Sequence, residues 1–138
     1  MNSQSPKLPP KYTKYNVFRS FGYAFEGLSL AFWRETSVKI QFGLLLFWVL
    51  FCFFNKHFLL SLSHLLLGGI IISLEIQNTA IELLCDLIEP NQNPIIKTVK
   101  DLSSGAVLSL ALVWLFVILY SFLVIIFPDF LPLLNFYL

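Results

Sequence analysis

Three long apolar stretches, at residues 42–54, 58–88 and 102–127, leave this chain few ways to fold. One small domain cannot bury so much leucine and phenylalanine. Of the 138 residues, 57% are hydrophobic and 12% charged, against roughly 45–50% and about 25% in ordinary globular chains. A bilayer accommodates such stretches as helices, which satisfy their own backbone hydrogen bonds. A spanning helix needs about 20 residues. The first stretch reaches that length by running back through Thr36 to Ile40, with Lys39 snorkelling to the interface. Spans are therefore predicted at 36–54, 58–88 and 102–127. The tight polar break Asn55-Lys56-His57 separates the first two, and a polar loop with Asn91, Gln92 and Asn93 between Pro90 and Pro94 precedes the third.

The flanks differ in texture. Residues 1–14 read as a disordered basic tail, with no short apolar core of the kind a signal peptide carries. Over 15–34, Val17, Phe18, Phe21, Phe25, Leu28 and Phe32 recur at spacings of three and four, with polar residues between them. That pattern predicts an amphipathic helix lying in the membrane interface. Residues 128–138 form an apolar C-terminal tail broken by Pro132. The expected fold is all-α and integral to the membrane: a single domain over 15–127 with three spans and one interfacial helix. Cys52 and Cys85 are too few for a disulfide framework, lack metal-site spacing, and read as small hydrophobes. A net charge of +1 excludes a nucleic-acid footprint, and 17% aromatic content excludes general disorder.

The second span carries acids where acids are costly. A carboxylate at the centre of a spanning helix costs about 2.5–3.5 kcal/mol even on lenient scales. Yet LEIQNTAIELLCDLIE contains Glu75, Asn78, Glu82, Asp86 and Glu89. At about 100° per residue, Glu82 and Asp86 return to within about 20° of Glu75, and Asn78 lies about 60° away. Ile76, Ile81, Leu83 and Leu84 are left for the lipid. Such a stripe suits either a divalent cation with oxygen ligands or a carboxylate base in a dry site. Downstream, Lys100 and Ser104 lie one turn apart. Asp101 reads as a first-turn partner of the helix dipole, and Ser103, Ser104, Gly105 and Ala106 permit close helix packing. Glu35 follows the interfacial helix, beside Trp33 as an interface anchor.

LEIQNTAIELLCDLI with KTVKDLSSGAVL downstream resembles the signature of the prokaryotic diacylglycerol kinase family, which includes undecaprenol kinases. SFGYAFEGLSLAFWRET is similar to the family's surface helix, and the resemblance covers roughly residues 17 to 125. It implies a homotrimeric lipid kinase in the bacterial inner membrane. Such an enzyme transfers the γ-phosphate of ATP, with Mg²⁺, to the hydroxyl of diacylglycerol or undecaprenol. Neither GxxxxGK[ST] nor GxGxxG is present, as in the family. By position, the resemblance makes Glu75 the general base acting on the lipid hydroxyl, and Glu35 and Glu82 the carboxylates that hold the metal. Asn78 matches the amide beside the base. Tyr23, Asn91, Gln92, Asn93, Lys100 and Asp101 match nucleotide-binding positions, and Ser104 a lipid-contacting one. Asn16 replaces an arginine of some members, and Gln41 an acidic residue.

Two readings of another class compete. A small proton-coupled transporter built on one membrane-embedded Glu has four spans and carries the acid in the first; here there are three, with the acids in the second. A non-catalytic subunit using the stripe only to hold helices together would need neither Lys100-Asp101 nor a pair of metal-holding carboxylates.

Basic residues set the expected orientation. Of nine Lys and Arg, only Lys56 lies away from the region that precedes and opens the first span and from the segment between the second and third. The N-terminus and residues 89–101 are therefore expected in the cytoplasm and the C-terminus outside. Single cysteines at Asn93 and Asn135, in a background without Cys52 and Cys85, should label from opposite sides of the membrane. Labelling of both from one side would remove the three-span topology.

Overall fold

The computed structural model describes residues 17–128 as four helices: α1 (Val17–Arg34), α2 (Thr36–Phe54), α3 (Phe58–Ile88) and α4 (Pro94–Ile126). The predicted tails, with Lys7, Lys11 and Lys14 but apart from Pro128, and the first two residues of the predicted interfacial helix, Tyr15 and Asn16, lie outside the described residues. Helices α2, α3 and α4 are each long and apolar enough to cross a membrane. They pack as an antiparallel bundle with α3 between the other two.

Two of the three junctions have almost no slack. Glu35 alone separates α1 from α2, in an extended conformation with its amide still bonded to Ala31 O. Between α2 and α3, Lys56 takes a left-handed φ of 68°. Its amide bonds to Phe53 O and the His57 amide to Cys52 O, at 3.0 and 2.9 Å. This paired arrangement closes a helix end with a left-handed residue, usually glycine.

The third junction corrects the sequence reading. The chain re-enters helix at Pro94, not at the apolar run beginning at 102. Asn93 caps α4 by accepting the Ile95 amide at 2.9 Å, and Pro94 takes the first helical turn, where its missing N–H costs nothing. Asp101 therefore stands two turns inside α4, not in its first turn. It pairs with Lys97, one turn back, instead of serving the helix dipole.

The packing seams follow a 3,4 alternation. On α2 the inward positions are Val38, Gln41, Leu45, Trp48 and Cys52. On α3 they are Ser61, His64, Gly68, Ile71, Glu75, Asn78, Glu82 and Cys85. This is the spacing that keeps one seam facing its partners along a whole bundle. Leu45, Ile71 and Trp114 form one buried core cluster, and Trp48, Cys52 and Leu60 a second. Both cysteines are free and buried, as small hydrophobes should be.

A buried polar group that the sequence reading overlooked joins the two clusters. His64 is fully buried and stacks on Trp48 with ring centroids 5.4 Å apart. Its Nδ1 accepts from Trp114 Nε1 at 3.0 Å, which leaves the proton on Nε2 to be donated to Ser121 Oγ at 2.9 Å. Ser121 passes its own proton to Val117 O at 2.8 Å. Every donor in the chain has an acceptor, which is the condition for burying polar groups in an apolar bundle.

Gly68 is the tightest point. A Cβ there would lie 2.6 Å from Leu45 Cδ1 and 3.2 Å from Trp114 Cζ2, whereas one on Gly69 would meet nothing within 4 Å. Gly68→Ala should therefore destabilise the bundle by about 1–3 kcal/mol, as overpacking does. Gly69→Ala should be neutral or stabilising by up to about 1 kcal/mol through helix propensity. Thermal unfolding of both variants in one detergent checks the contrast, and equal behaviour would remove the close three-helix contact.

Candidate active site

Helices α3 and α4 are longer than the hydrocarbon core, at 31 and 33 residues. About 20 residues suffice to cross. Counted from Phe58, the crossing part of α3 ends near Asn78; counted back from Ile126, that of α4 ends near Val107. Both helices therefore continue beyond the bilayer on the same side, and the polar residues gather there. Glu75 sits just inside the boundary and Glu82 one turn beyond Asn78.

On this extension the α3 seam changes from apolar to polar without changing its spacing. Asn78 is buried, and Glu75 and Glu82 are half-buried. Asn78 Nδ2 donates to Glu82 Oε1 at 2.9 Å, while its Oδ1 accepts from Ser104 Oγ of α4 at 3.4 Å. One turn earlier on α4, Lys100 Nζ forms an ion pair with Asp86 Oδ1. Lys100 and Ser104 thus both turn toward α3, as their spacing predicted. Asp86 lies off the seam and is exposed, so the stripe is narrower than the sequence reading had it. Glu75 has no hydrogen-bond or ion-pair partner among the described residues. Of the four residues assigned to lipid, Leu83 and Leu84 are exposed, but Ile81 is half-buried and Ile76 closes the floor of a groove under α1.

The short loop between α3 and α4 completes a pocket of about 660 Å³. Asp86, Glu89, Asn91, Gln92, Asn93, Lys97 and Lys100 share its walls with Pro90, Pro94 and Ile96. Glu89 holds the loop by accepting from Asn91 N and Nδ2 at 3.1 and 3.0 Å. Two lysines and several amides in one concavity offer donors to an anion of several charges. Asp101 does not line the pocket. Lys97 does, although the sequence reading passed over it; its place one turn from Lys100, on the same helix face, was the available signal.

The remaining candidates stand apart from this group within one chain. Tyr23 is exposed on α1 and makes no hydrogen bond to α3 or α4. Glu35 stands at the N-cap position of α2, makes no side-chain capping bond there, and faces Arg34 Nε at 3.7 Å. The antiparallel register, set by Leu45 against Gly68 and by Ser61 Oγ bonded to Val49 O at 3.0 Å, brings the start of α2 to the height of Asn78. Gln41, on the α2 seam, keeps its Oε1 buried without a hydrogen-bond partner.

Among the described residues no three His, Cys, Asp or Glu side chains cluster closely enough to cage a metal ion. The donors fit a looser arrangement. Glu82 has one oxygen fixed by Asn78 and the other without a protein partner. One or two carboxylates, completed by water and phosphate oxygens, is the set Mg²⁺ takes beside a nucleotide.

A helical membrane bundle that gathers carboxylates, amides and lysines at one end of two of its spans belongs to the class of proteins that work where lipid meets water. Residues 22–122 match the family model of prokaryotic diacylglycerol kinase, and the chain belongs to that family of membrane lipid kinases. None of the curated proteins compared, and none of the solved structures, matches it.

Proposed function

We propose that the chain transfers the γ-phosphate of ATP to the primary hydroxyl of a membrane lipid, diacylglycerol or undecaprenol, at the cytoplasmic face of the inner membrane. The observation that carries this reading is the continuous seam of Glu75, Asn78 and Glu82, flanked on α4 by Ser104 and Lys100 and ending at the loop pocket. Lipid can approach from one end of it and nucleotide from the other.

On this reading the pocket receives the nucleotide, with Lys97, Lys100 and the amides of Asn91, Gln92 and Asn93 facing its phosphates. Lys100 neutralises phosphate charge. Glu82, with Glu35 from the start of α2, would hold Mg²⁺, which would supply positive charge to the transferring phosphate. The apolar groove of about 440 Å³ beneath α1, lined by Phe25, Leu28, Phe32, Phe42, Ile72 and Ile76, suits the lipid chain. Ile72 and Ile76 lie within one turn of Glu75 on α3, so a lipid seated there brings its hydroxyl toward a carboxylate with no competing partner. Glu75 takes the hydroxyl proton as the lipid oxygen bonds to the γ-phosphorus and the bond to ADP breaks. We further propose a homotrimer. Tyr23 and Glu35 make no hydrogen bond to the α3–α4 group in one chain, and neighbouring subunits can close the open sides of the pocket. Native mass in detergent should give three chains, and a fully active monomer would refute the assembly.

Glu75 and Glu82 should fail differently. Glu75→Gln should lower phosphotransfer from labelled ATP by about 10²–10⁴-fold, the worth of general base catalysis, with Mg²⁺–ATP affinity nearly intact. Glu82→Gln should weaken nucleotide binding, with partial rescue by excess Mg²⁺. Calorimetric affinities alongside rates, with diacylglycerol and undecaprenol compared in one detergent, test the roles and identify the lipid. Near-normal turnover in Glu75→Gln would overturn the assignment of the base.

A further inference from the structure

We infer that Asp86 is a positioning residue for nucleotide binding: it anchors the Lys100 ammonium over the loop pocket so that its remaining N–H groups meet the phosphates. The inference rests on the proposed role of Lys100 and gives a role to Asp86, to which the sequence analysis assigned none. Two observations carry it. Lys100 Nζ forms an ion pair with Asp86 Oδ1 across the α3–α4 interface, and both residues line the same pocket.

A lysine is a point charge on four flexible carbons and, left to itself, occupies many rotamers. Here its side chain is 32% exposed, so the stem is packed between the helices while the ammonium reaches the pocket wall. The ammonium carries three donors. Asp86 engages one and fixes the direction of the other two. Asp86 itself is 61% exposed. An ion pair so open to water contributes little to stability, with measured values clustering near zero to about one kcal/mol. Its evident consequence is therefore where the charge sits. No other carboxylate bonds Lys100 among the described residues, because Asp101 on the same helix is taken by Lys97 and Glu89 by Asn91. Glu82 accepts from Asn78 and makes no hydrogen bond to Lys100.

The test is a cycle of Asp86→Asn, Asp86→Glu, Lys100→Met and the double variant Asp86→Asn with Lys100→Met, all as full-length protein. Asp86→Asn should raise KM for Mg²⁺–ATP about five- to tenfold, roughly the loss of one charge-assisted contact. It should leave kcat within about twofold and the unfolding midpoint in detergent unchanged. Asp86→Glu, which restores the charge, should recover most of the affinity. Lys100→Met should raise KM further, and the double variant should match it, because an anchor has no effect once its lysine is gone. Additive losses in the double variant would overturn the inference, as would a fall in KM on Asp86→Asn, which would make the carboxylate a competitor for the ammonium. If Lys100→Met leaves KM unchanged, the nucleotide role of Lys100 fails and the inference fails with it. If Lys100→Met raises KM while Asp86→Asn does not, only the inference fails.

Discussion

Polar groups in an apolar bundle cost least where a neighbouring helix supplies their partners, and α3 is where this bundle supplies most of them. Lipid tails compete with nothing polar, so each buried donor or acceptor on α3 must be answered by α2 or α4 or carry a penalty of several kcal/mol. Ser61 is answered by the Val49 carbonyl, His64 by Trp114 and Ser121, and Asn78 by Ser104. These contacts fix register where dispersion between leucines alone would permit sliding. Gly68 adds the steric counterpart, since Leu45 and Trp114 fill the space its missing side chain leaves.

Because α4 is one uninterrupted helix, the packing deep in the bundle also locates the chemistry at its edge. Trp114, locked to His64, and Lys100 lie fourteen residues apart on α4, about 21 Å at 1.5 Å per residue. A rotation of α4 that broke the His64 contact would swing Lys100 and Ser104 away from α3 by the same angle. The histidine network contributes no chemistry of its own, but it holds the azimuth of the helix that does. The Lys100–Asp86 pair then refines what the core has set to a single side chain.

Much of this was legible in the residues. Apolar length gave the three spans, and the 3,4 spacing of the aromatics gave α1. The acids on α3 pointed to one edge of the bundle, and that edge is where their partners gather. The misses have identifiable causes. The start of α4 was read from where hydrophobicity resumes, but a helix begins where its first amides are satisfied, and Asn93-Pro94 supplies that eight residues earlier. Asp86 was counted with Glu75 on angle alone, yet it stands outside the 3,4 seam. His64 passed unnoticed because a lone histidine in an apolar run has no pattern; only the fold reveals Trp114 and Ser121 fifty and fifty-seven residues away. The orphan oxygen of Gln41 is likewise a property of packing and cannot be read from a chain.

The brevity of α2 has a mechanical consequence. Its 19 residues give about 28 Å, slightly less than the roughly 30 Å of a typical hydrocarbon core. Both its ends are tied by junctions of one and three residues, so it has no spare length to pay out. The longer α3 and α4 can ride through a thicker bilayer unchanged. Leu45 against Gly68 and Ser61 on the Val49 carbonyl hold α2 in register with α3, so a thicker bilayer cannot slide one helix past the other. It has to thin around the short helix instead, a dent in the membrane on the side of α2 that the longer helices do not require.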